Sequence, residues 1–261
     1  MSGQVRSEKD GALGWIVFDQ PARRNAVSAE MWRQIPAAVE AFAKDDDVRV
    51  VVMRGEGETA FVSGADISEF EERRAGSSGA GEYDRVSGLA FRALTGLEKP
   101  LVAMIHGFCV GGGVGIALTA DLRFAALDAR FAIPAARLGL GYSAGLLEPL
   151  LRLVGPARAL EILYTARRYS AEEALEMGLV NAIAPKAALD ALVRETVDRI
   201  AANAPLTLRA AKIAARELMK DPGRRDPAAI DSAVRACYES EDYREGVRAF
   251  MEKRKPAFKG R

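Results

Sequence analysis

One stretch, residues 99–121 (KPLVAMIHGFCVGGGVGIALTAD), limits the possible folds of this chain more than any other. Its apolar run at residues 101–105 predicts a buried strand, and the apolar residues 114–120 predict a helix. Between them, the glycines at 111–113 let the backbone turn tightly and approach a ligand closely. Because the first turn of a helix carries unpaired N–H groups and partial positive charge, the stretch predicts a site for negative charge developing on an oxygen atom.

The same stretch has about the length of a membrane span, because residues 101–120 contain no Asp, Glu, Lys or Arg. Glycines interrupt it at 107, 111, 112, 113 and 115. Each weakens a helix interior by about 1 kcal/mol relative to alanine. These breaks disfavour a lipid-spanning helix, so we expect a buried strand, turn and helix, and no membrane partner.

Composition narrows the class of protein further. With 261 residues and 49% hydrophobic content, the chain can bury the core of one large domain. A net charge of +1 gives no global field for nucleic acid or anionic membranes. Cys109 and Cys237 are too few for a disulfide framework and lack metal-ligand spacing, and the N-terminal residues lack an apolar signal core. We therefore expect a cytoplasmic protein without a metal site.

The order of predicted elements is mixed α/β up to about residue 185 and helical beyond it. Residues 71–82 (EERRAGSSGAGE) predict a loop or a frayed helix end, and no repeat is visible in the sequence. Strands are predicted at 13–18, 48–53, 101–105, 122–126, 130–133 and 180–184, and late helices at 189–203, 206–218, 227–240 and 242–254. Helices are also predicted at 146–154 and 156–165, with Ser28 as the N-cap of an earlier helix and Ser170 and Glu173 as a capping box.

Six segments, in order, resemble the crotonase superfamily, also called the enoyl-CoA hydratase/isomerase family. They are QPARRNAVSAEMW, AFVSGADI, KPLVAMIHGFCVGGG, AARLGLGYSAG, ALEMGLVNAI and FMEKRKPAFKG. The resemblance implies an α/β fold, the ClpP/crotonase spiral of ββα repeats, over residues 1–200. It also implies a C-terminal helical region, 201–261, that builds a homotrimer or a dimer of trimers. The implied substrate is an acyl-CoA thioester, with no cofactor beyond the coenzyme A it carries.

The family's motifs also imply the positions of the site. The backbone N–H groups of Ala65 and Gly112 would hold the thioester oxygen, an arrangement that stabilises an enolate or a tetrahedral anion. The other implied substrate contacts are Arg23, Arg24, Asp66, Ile67, Gly111 and, for a phosphate, Lys259. For the three cations, Arg23, Arg24 and Lys259, a solvated surface position is an equally good explanation.

The chain departs from the family's hydratases at two positions. Those enzymes resemble one another in two glutamates, and here the corresponding residues are Gly115 and Ala135. Hydration needs one group to deprotonate water and one to protonate the α-carbon, and neither residue can do this. We therefore expect non-hydratase chemistry, and a roomier, more apolar pocket suited to a bulky or branched acyl chain.

Two other side chains are candidates for catalysis. Tyr142 lies in a loop where relatives place working side chains, and its phenol is a hydrogen-bond donor at neutral pH. Glu148, in the next helix, could point into the space left by Gly115 and Ala135. The simpler explanations are that Tyr142 lines the acyl pocket and that Glu148 complements the helix N-terminus. His106 is either a structural histidine or a catalytic one, and Cys109 is either a small apolar filler or a reactive thiol. The structural explanation is favoured for both.

These features leave several functions open. Decarboxylation or thioester hydrolysis suits an oxyanion site without paired glutamates. A hydratase with a relocated acid such as Glu148, and an acyl-CoA-binding oligomer without chemistry, are the alternatives. RNA binding is disfavoured because the basic runs at 167–168 and 253–255 are short.

Overall fold

The computed structural model describes residues 3–66 and 77–261, with the side chains of 77–81 left out. Its strands are β1 (Gln4–Asp10), β2 (Leu13–Asp19), β3 (Val50–Gly55), β4 (Ala60–Val62), β5 (Leu101–Ile105), β6 (Phe108–Val110), β7 (Leu122–Ala126), β8 (Arg130–Ala132), β9 (Tyr169–Ser170) and β10 (Ala182–Ala184). Its α-helices are α1 (Ala29–Lys44), α2 (Ser77–Gly96), α3 (Gly112–Leu118), α4 (Ala144–Thr165), α5 (Ala171–Glu176), α6 (Lys186–Ala201), α7 (Pro205–Leu218), α8 (Pro227–Glu239) and α9 (Glu241–Met251). Short 3₁₀ turns occupy Pro21–Arg23, Pro134–Leu138 and Pro222–Arg224.

The strands form two sheets. The larger has the order β1-β2-β3-β5-β7-β10, and the smaller has the order β4-β6-β8-β9. Only the outer pairs β1–β2 and β8–β9 are antiparallel; the other described pairs are parallel. Consecutive strands therefore alternate between sheets: β3, β5 and β7 lie in the larger sheet, and β4, β6 and β8 follow in the smaller one.

This alternation is the repeat that the sequence does not reveal. Each unit consists of one strand in each sheet followed by a helix: β3-β4-α2, then β5-β6-α3, then β7-β8-α4. The units share geometry without sharing residues, because any apolar strand and any amphipathic helix satisfy the same packing. The ββα repeat expected from the family resemblance is present.

Alternating residues of the larger sheet face two cores. In β3, Val51 and Met53 join the main core with α1, whereas Val50 and Val52 pack with Leu189 and other residues of α6. Burial on both faces explains why β3 is apolar throughout. The same alternation places Ile105 in the main core and directs the next residue, His106, toward the opposite side of the sheet.

Capping residues in the sequence correctly predicted where several helices begin. The Ser28 hydroxyl accepts a hydrogen bond from Met31 N–H at 3.2 Å and begins α1. Ser170 and Glu173 form the expected capping box at the start of α5. The two helices predicted on either side of Gly155 are one element, α4, broken at that residue (φ 78°, ψ 163°).

Other segments differ from the expectation. The polar strand β1 was not predicted because it is ordered by its hairpin with β2 and not by burial of its own side chains. The short strands β4, β6 and β9 were not predicted because they are ordered by pairing with strands that are distant in sequence. Residues 77–82, expected as a loop or frayed end, belong to α2; residues 71–76 lie outside the described part of the chain. The domain division at residue 200 stays a prediction, although α6 ends at Ala201 and only helices follow. No helix among the described residues is long and apolar enough to span a membrane.

The first C-terminal helix is tied to the larger sheet by a buried lysine. Lys212 of α7 donates hydrogen bonds from Nζ to Asp121 Oδ2 at 2.6 Å and to the Lys99 carbonyl at 2.8 Å. Asp121 Oδ2 also accepts from Leu101 N–H at 2.8 Å. Burial lowers the pKa of Lys212 to about 8, despite the opposing effect of Asp121.

This pKa shift predicts a pH-dependent stability. Between pH 8 and about 10.5 the unfolded chain keeps the Lys212 proton that the folded chain has lost, so stability rises with pH. We compare the free energies of unfolding of wild type and of Lys212→Met, which cannot titrate at this position. Over that pH window, the advantage of wild type over the variant increases by about 3 kcal/mol. Urea unfolding at pH 7.5, 9 and 10.5 measures this difference. A difference that is flat across the three pH values would contradict the assignment.

Candidate active site

Two backbone N–H groups meet where the first helical turn of α3 approaches the loop after β4. A Cβ added to Gly112 would lie 3.8 Å from Ala65 N, and one added to Gly64 would lie 4.0 Å from Gly112 N. Among the described residues, neither Ala65 N–H nor Gly112 N–H donates a hydrogen bond to another group. The pair predicted from the motifs is therefore adjacent in space and unoccupied, as a site for one oxygen atom requires.

The glycines around Gly112 hold this arrangement. Gly111 is the N-cap of α3 at φ 54°, and its N–H donates to the Ala132 carbonyl at 2.8 Å. Its N–H is thus occupied by β8, and Gly111 acts by shaping the turn instead of contacting substrate through that group. Gly113 approaches β4 so closely that an added Cβ would lie 2.1 Å from the Val62 carbonyl oxygen. Only glycine allows α3 to start this close to β4.

The loop that carries Ala65 is held by residues 20–27. Val27 N–H donates to the Gly64 carbonyl at 2.8 Å, and Asp66 N–H donates to the Val27 carbonyl at 3.1 Å. The buried Asp66 carboxylate accepts two hydrogen bonds from Arg23, at 2.6 and 2.7 Å, and one from Gln20 Nε2 at 3.1 Å. Arg23 and Asp66, predicted as separate coenzyme A contacts, are thus bound to each other and fix the loop.

This network predicts the effect of Asp66→Asn. Losing one carboxylate oxygen removes the bidentate pair, although Arg23 remains half-exposed, so the free energy of unfolding falls by about 1–2 kcal/mol. Amide exchange at Val27 and Asp66 should accelerate, because their hydrogen bonds hold the loop. Ser63→Ala, which removes one exposed hydrogen bond to the Arg23 carbonyl, is the control and should change both readouts little. Unchanged exchange in Asp66→Asn would overturn the role.

Apolar side chains fill the position of the first missing glutamate. A Cβ on Gly115 would lie 3.1 Å from Leu146 Cδ2 and 3.2 Å from Phe91 Cζ. Phe91 also packs against Trp32 with ring centroids 5.2 Å apart, and Trp32 reaches within 3.8 Å of an added Gly112 Cβ. Ala135 packs against the main core. The site is apolar as expected, but it is not roomier at Gly115, because Phe91 and Leu146 occupy that space.

Tyr142 carries a buried hydroxyl without a hydrogen-bond partner among the described residues. Its ring packs against the main core. Burial, with a smaller contribution from the neighbouring Cys109 thiol, raises the pKa of the Tyr142 phenol far above its usual value. Tyr142 therefore stays protonated at neutral pH and has a proton to donate to a bound molecule.

Glu148 does not face this site. It lies two residues after Leu146, about 200° around the helix from the side chain that fills the space at Gly115. Its side chain is 59% exposed and pairs with Arg152 one turn later in α4. The carboxylate is thus on the solvent side of α4, in contrast to the expectation that it replaces a missing glutamate.

The remaining predicted residues are dispersed. Lys259 lines a cleft of about 870 Å³ with Lys99 and Pro100, which precede β5, whereas the oxyanion pair follows the carboxyl ends of β4 and β6. Neither Ala65 nor Gly112 lines that cleft, so within one chain Lys259 and the oxyanion pair do not share a pocket. Arg24, at φ 53°, is exposed and close to the ring of Phe108. Ile67 lies outside the described residues.

Two other titratable side chains near the turn, Cys109 and His106, are buried. Burial raises the pKa of Cys109, which is fully buried, so its thiol is not a nucleophile at neutral pH. Burial lowers the pKa of His106, which keeps it neutral on the far side of the larger sheet. No group of three or more His, Cys, Asp or Glu side chains among residues 3–66 and 77–261 is placed to hold a metal ion.

The fold and the two adjacent backbone N–H groups are those expected of a class of enzymes that act on acyl groups and stabilise an oxyanion. Comparison with known proteins specifies the family. The model of the enoyl-CoA hydratase/isomerase family matches residues 8–261. The chain therefore belongs to the enoyl-CoA hydratase/isomerase family of the crotonase superfamily.

Individual relatives are similar to this chain over almost its whole length. A short-chain-enoyl-CoA hydratase of Clostridium acetobutylicum is 33% identical over 255 residues, covering 97% of each chain. A carnitinyl-CoA dehydratase of Salmonella enteritidis is 35% identical and covers both chains fully. The crystal structure of an enoyl-CoA hydratase/carnithine racemase from Magnetospirillum magneticum superposes with a TM-score of 0.94 at 37% identity, covering 98% of this chain and 96% of that one. The crotonase fold expected from the motifs is confirmed.

Proposed function

We propose that this protein decarboxylates a malonyl-type acyl-CoA thioester, with the N–H groups of Ala65 and Gly112 holding the thioester oxygen. The bond from the α-carbon to the carboxylate breaks, carbon dioxide leaves, and the electron pair forms an enolate on that oxygen. The enolate carbon then takes a proton from the Tyr142 phenol, which solvent reprotonates. This sequence needs oxyanion stabilisation and a proton donor, but no carboxylate base.

The observation that carries the proposal is the replacement of both glutamates by an apolar environment that keeps one protonated hydroxyl. Phe91 and Leu146 close the space beside Gly115, and Tyr142 presents a buried O–H without a described partner. An unsatisfied buried hydroxyl costs about 1–3 kcal/mol in the empty protein, and a bound substrate that accepts its hydrogen bond recovers that energy.

Hydration by a relocated acid is the alternative, favoured by the names of the relatives. In this chain Glu148 is exposed and paired with Arg152, so the structure offers it no route to the thioester. Thioester hydrolysis shares the oxyanion site but needs a base to activate water, and the described surroundings of Gly115 and Ala135 supply none. An acyl-CoA-binding oligomer without chemistry keeps the oxyanion pair and predicts binding without turnover.

Three assays on the purified protein separate these functions. Methylmalonyl-CoA is followed for carbon dioxide release, crotonyl-CoA for loss of enoyl absorbance, and butyryl-CoA for release of free thiol. Carbon dioxide release that exceeds the other two activities supports the proposal. Hydration of crotonyl-CoA as the fastest activity overturns it, and binding of all three thioesters without turnover favours the non-catalytic alternative.

Restoring the first glutamate should not create a hydratase. The Gly115→Glu side chain must displace Phe91 and Leu146 and places a carboxylate in an apolar space, so we expect about 2–3 kcal/mol of destabilisation and no hydration of crotonyl-CoA. Gly115→Ala adds only the Cβ and should cost less than about 1.5 kcal/mol. Urea unfolding and the absorbance assay measure both variants. A stable, active Gly115→Glu would show that the space is open.

We further propose that the chain assembles as a homotrimer or a dimer of trimers. Apolar side chains on α8 and α9 are at least half exposed in the single chain, and the most exposed is Phe250, at 82%; the set is Tyr238, Tyr243, Val247, Phe250 and Met251. Such a surface is typical of an interface between subunits. Light scattering coupled to size-exclusion chromatography distinguishes three copies from six or one.

Two further points complete the proposal. We propose that coenzyme A enters only as part of the substrate and that no separate cofactor takes part. Cys109 and Cys237 are both free thiols, which is consistent with the cytoplasmic location proposed for the protein.

A further inference from the structure

Three aromatic side chains from two helices form a wall beside the oxyanion pair. The Trp32 ring of α1 and the Phe91 ring of α2 have centroids 5.2 Å apart, and Trp32 Cζ2 lies 3.8 Å from a Cβ added at Gly112. Tyr83 of α2 packs edge to face against the same indole, with ring centroids 6.4 Å apart and planes at 86°. This aromatic wall of Trp32, Tyr83 and Phe91 therefore begins next to the position of the thioester oxygen.

Trp32 is the fixed part of the aromatic wall. It is only 1% exposed, and its Nε1–H donates a hydrogen bond to the Tyr83 hydroxyl at 2.9 Å. Turning the indole away would leave this buried N–H without its partner and would open a void in the main core. Phe91 therefore cannot retreat toward α1 to make room for a ligand.

Phe91 and Leu146 of α4 close the space one helical turn beyond the oxyanion pair. A Cβ added at Gly115 would lie 3.2 Å from Phe91 Cζ and 3.1 Å from Leu146 Cδ2. Gly115 follows Gly112 by three residues, or about 4.5 Å along the axis of α3. Phe91 and Leu146 are both half-buried, so each keeps apolar surface for contacts with a ligand. An acyl group that starts at the oxyanion N–H groups and runs along α3 meets both side chains within this distance.

We propose that Phe91, backed by Trp32 and Tyr83, limits the substrate to a short acyl group, so that a malonyl-type thioester carries at most a small alkyl substituent on its α-carbon. This limit rests on the proposed acyl-CoA substrate and adds a specificity-determining residue to its site. A longer chain would have to push Phe91 against the fixed indole, and close-packed side chains resist such a displacement. The limit contrasts with the bulky or branched acyl chain expected from the loss of two glutamates, because the space at Gly115 is filled.

The test measures binding, which does not depend on the reaction. Calorimetric titration gives the dissociation constants of acetyl-CoA, butyryl-CoA and octanoyl-CoA for wild type, Phe91→Ala and the milder Phe91→Leu. The matched control is Leu89→Ala, which truncates a 41% exposed side chain on the same helix, about 200° around the helix axis from Phe91. Thermal unfolding verifies that each variant is folded, and Phe91→Leu carries the test if Phe91→Ala does not fold.

We expect wild type to bind butyryl-CoA at least about tenfold more tightly than octanoyl-CoA, because the longer chain overpacks the space at Phe91. An open pocket would instead gain about fourfold for each further methylene that it buries. Phe91→Ala should tighten octanoyl-CoA binding at least about tenfold and change butyryl-CoA binding less than about threefold. Phe91→Leu should act in the same direction by a smaller factor, and Leu89→Ala should alter the binding of none of the three thioesters.

Each contrary result identifies what fails. Octanoyl-CoA that binds wild type more tightly than butyryl-CoA overturns the length limit and leaves the proposed function standing. Octanoyl-CoA binding that stays as weak in both Phe91 variants as in wild type overturns the role of Phe91. A length limit observed in a protein that releases no carbon dioxide from methylmalonyl-CoA overturns only the proposed reaction, and a wild type that binds none of the three thioesters overturns both.

Discussion

Tyr142→Phe is expected to lose activity and gain stability at the same time. Without the phenolic proton, the enolate has no donor in the apolar pocket, so turnover of a malonyl-type thioester should fall at least about 100-fold. The same change removes a buried hydroxyl that has no partner among the described residues, so the free energy of unfolding should rise by about 1 kcal/mol. Carbon dioxide release and urea unfolding measure the two effects on one protein preparation.

Tyr169→Phe is the matched control for this prediction. Tyr169 is also buried, but its hydroxyl lies 3.2 Å from Thr165 Oγ1 and is satisfied. Removing it should cost about 1 kcal/mol of stability and leave turnover unchanged, the reverse of Tyr142→Phe. If Tyr142→Phe keeps wild-type turnover, the ring only lines the pocket, and the proton donor must be found elsewhere.

Gly113→Ala is expected to have the largest effect on the site as a whole. Its Cβ would lie 2.1 Å from the Val62 carbonyl oxygen and 2.9 Å from the Val62 carbonyl carbon, so backbone must move on one side or the other. Separating α3 from β4 displaces the Gly112 N–H from the Ala65 N–H. We expect a loss of at least about 3 kcal/mol of stability, and a fall in turnover of about 100- to 1000-fold in whatever fraction folds.

Gly96→Ala provides the comparison. An alanine Cβ at Gly96, the last residue of α2, meets nothing within 4 Å, and the φ angle there is not in the left-handed region. It should leave turnover unchanged and stabilise the helix by up to about 1 kcal/mol. Circular dichroism during urea unfolding and the carbon dioxide assay test both variants. Wild-type stability in Gly113→Ala would show that β4 and α3 are not held as closely as the structure places them.

The sequence predicted local features of the structure best. The apolar run, the triple glycine and the apolar continuation after it predicted β5, the turn and α3. Capping residues such as Ser28 and Ser170 predicted where helices begin, because a side-chain oxygen that satisfies a helix N–H lies only three residues away. The absence of both glutamates, at Gly115 and Ala135, is likewise evident from the residues alone.

Contacts between distant segments required the tertiary structure. Strand β4 has three residues, and only its pairing with β6, in which Ala60 lies opposite Phe108, makes it a strand. The motifs predicted Arg23 and Asp66 as separate ligand contacts, whereas the fold brings them together as an ion pair 2.6 Å apart. The basic run at 167–168 was considered only for RNA binding, because nothing near Arg168 in the sequence reveals its proximity to Phe108.

The pocket also combines features that the sequence predicts with side-chain directions that only the tertiary structure reveals. The residues at the motif positions predict a crotonase-like oxyanion turn without its two carboxylates. The packing of α2 and α4 against α3, which the sequence does not reveal, places Phe91 and Leu146 in the space at Gly115 and leaves Glu148 facing solvent. Local periodicity specifies which residues share a helix face, but the packing of one element against another determines which face meets the substrate.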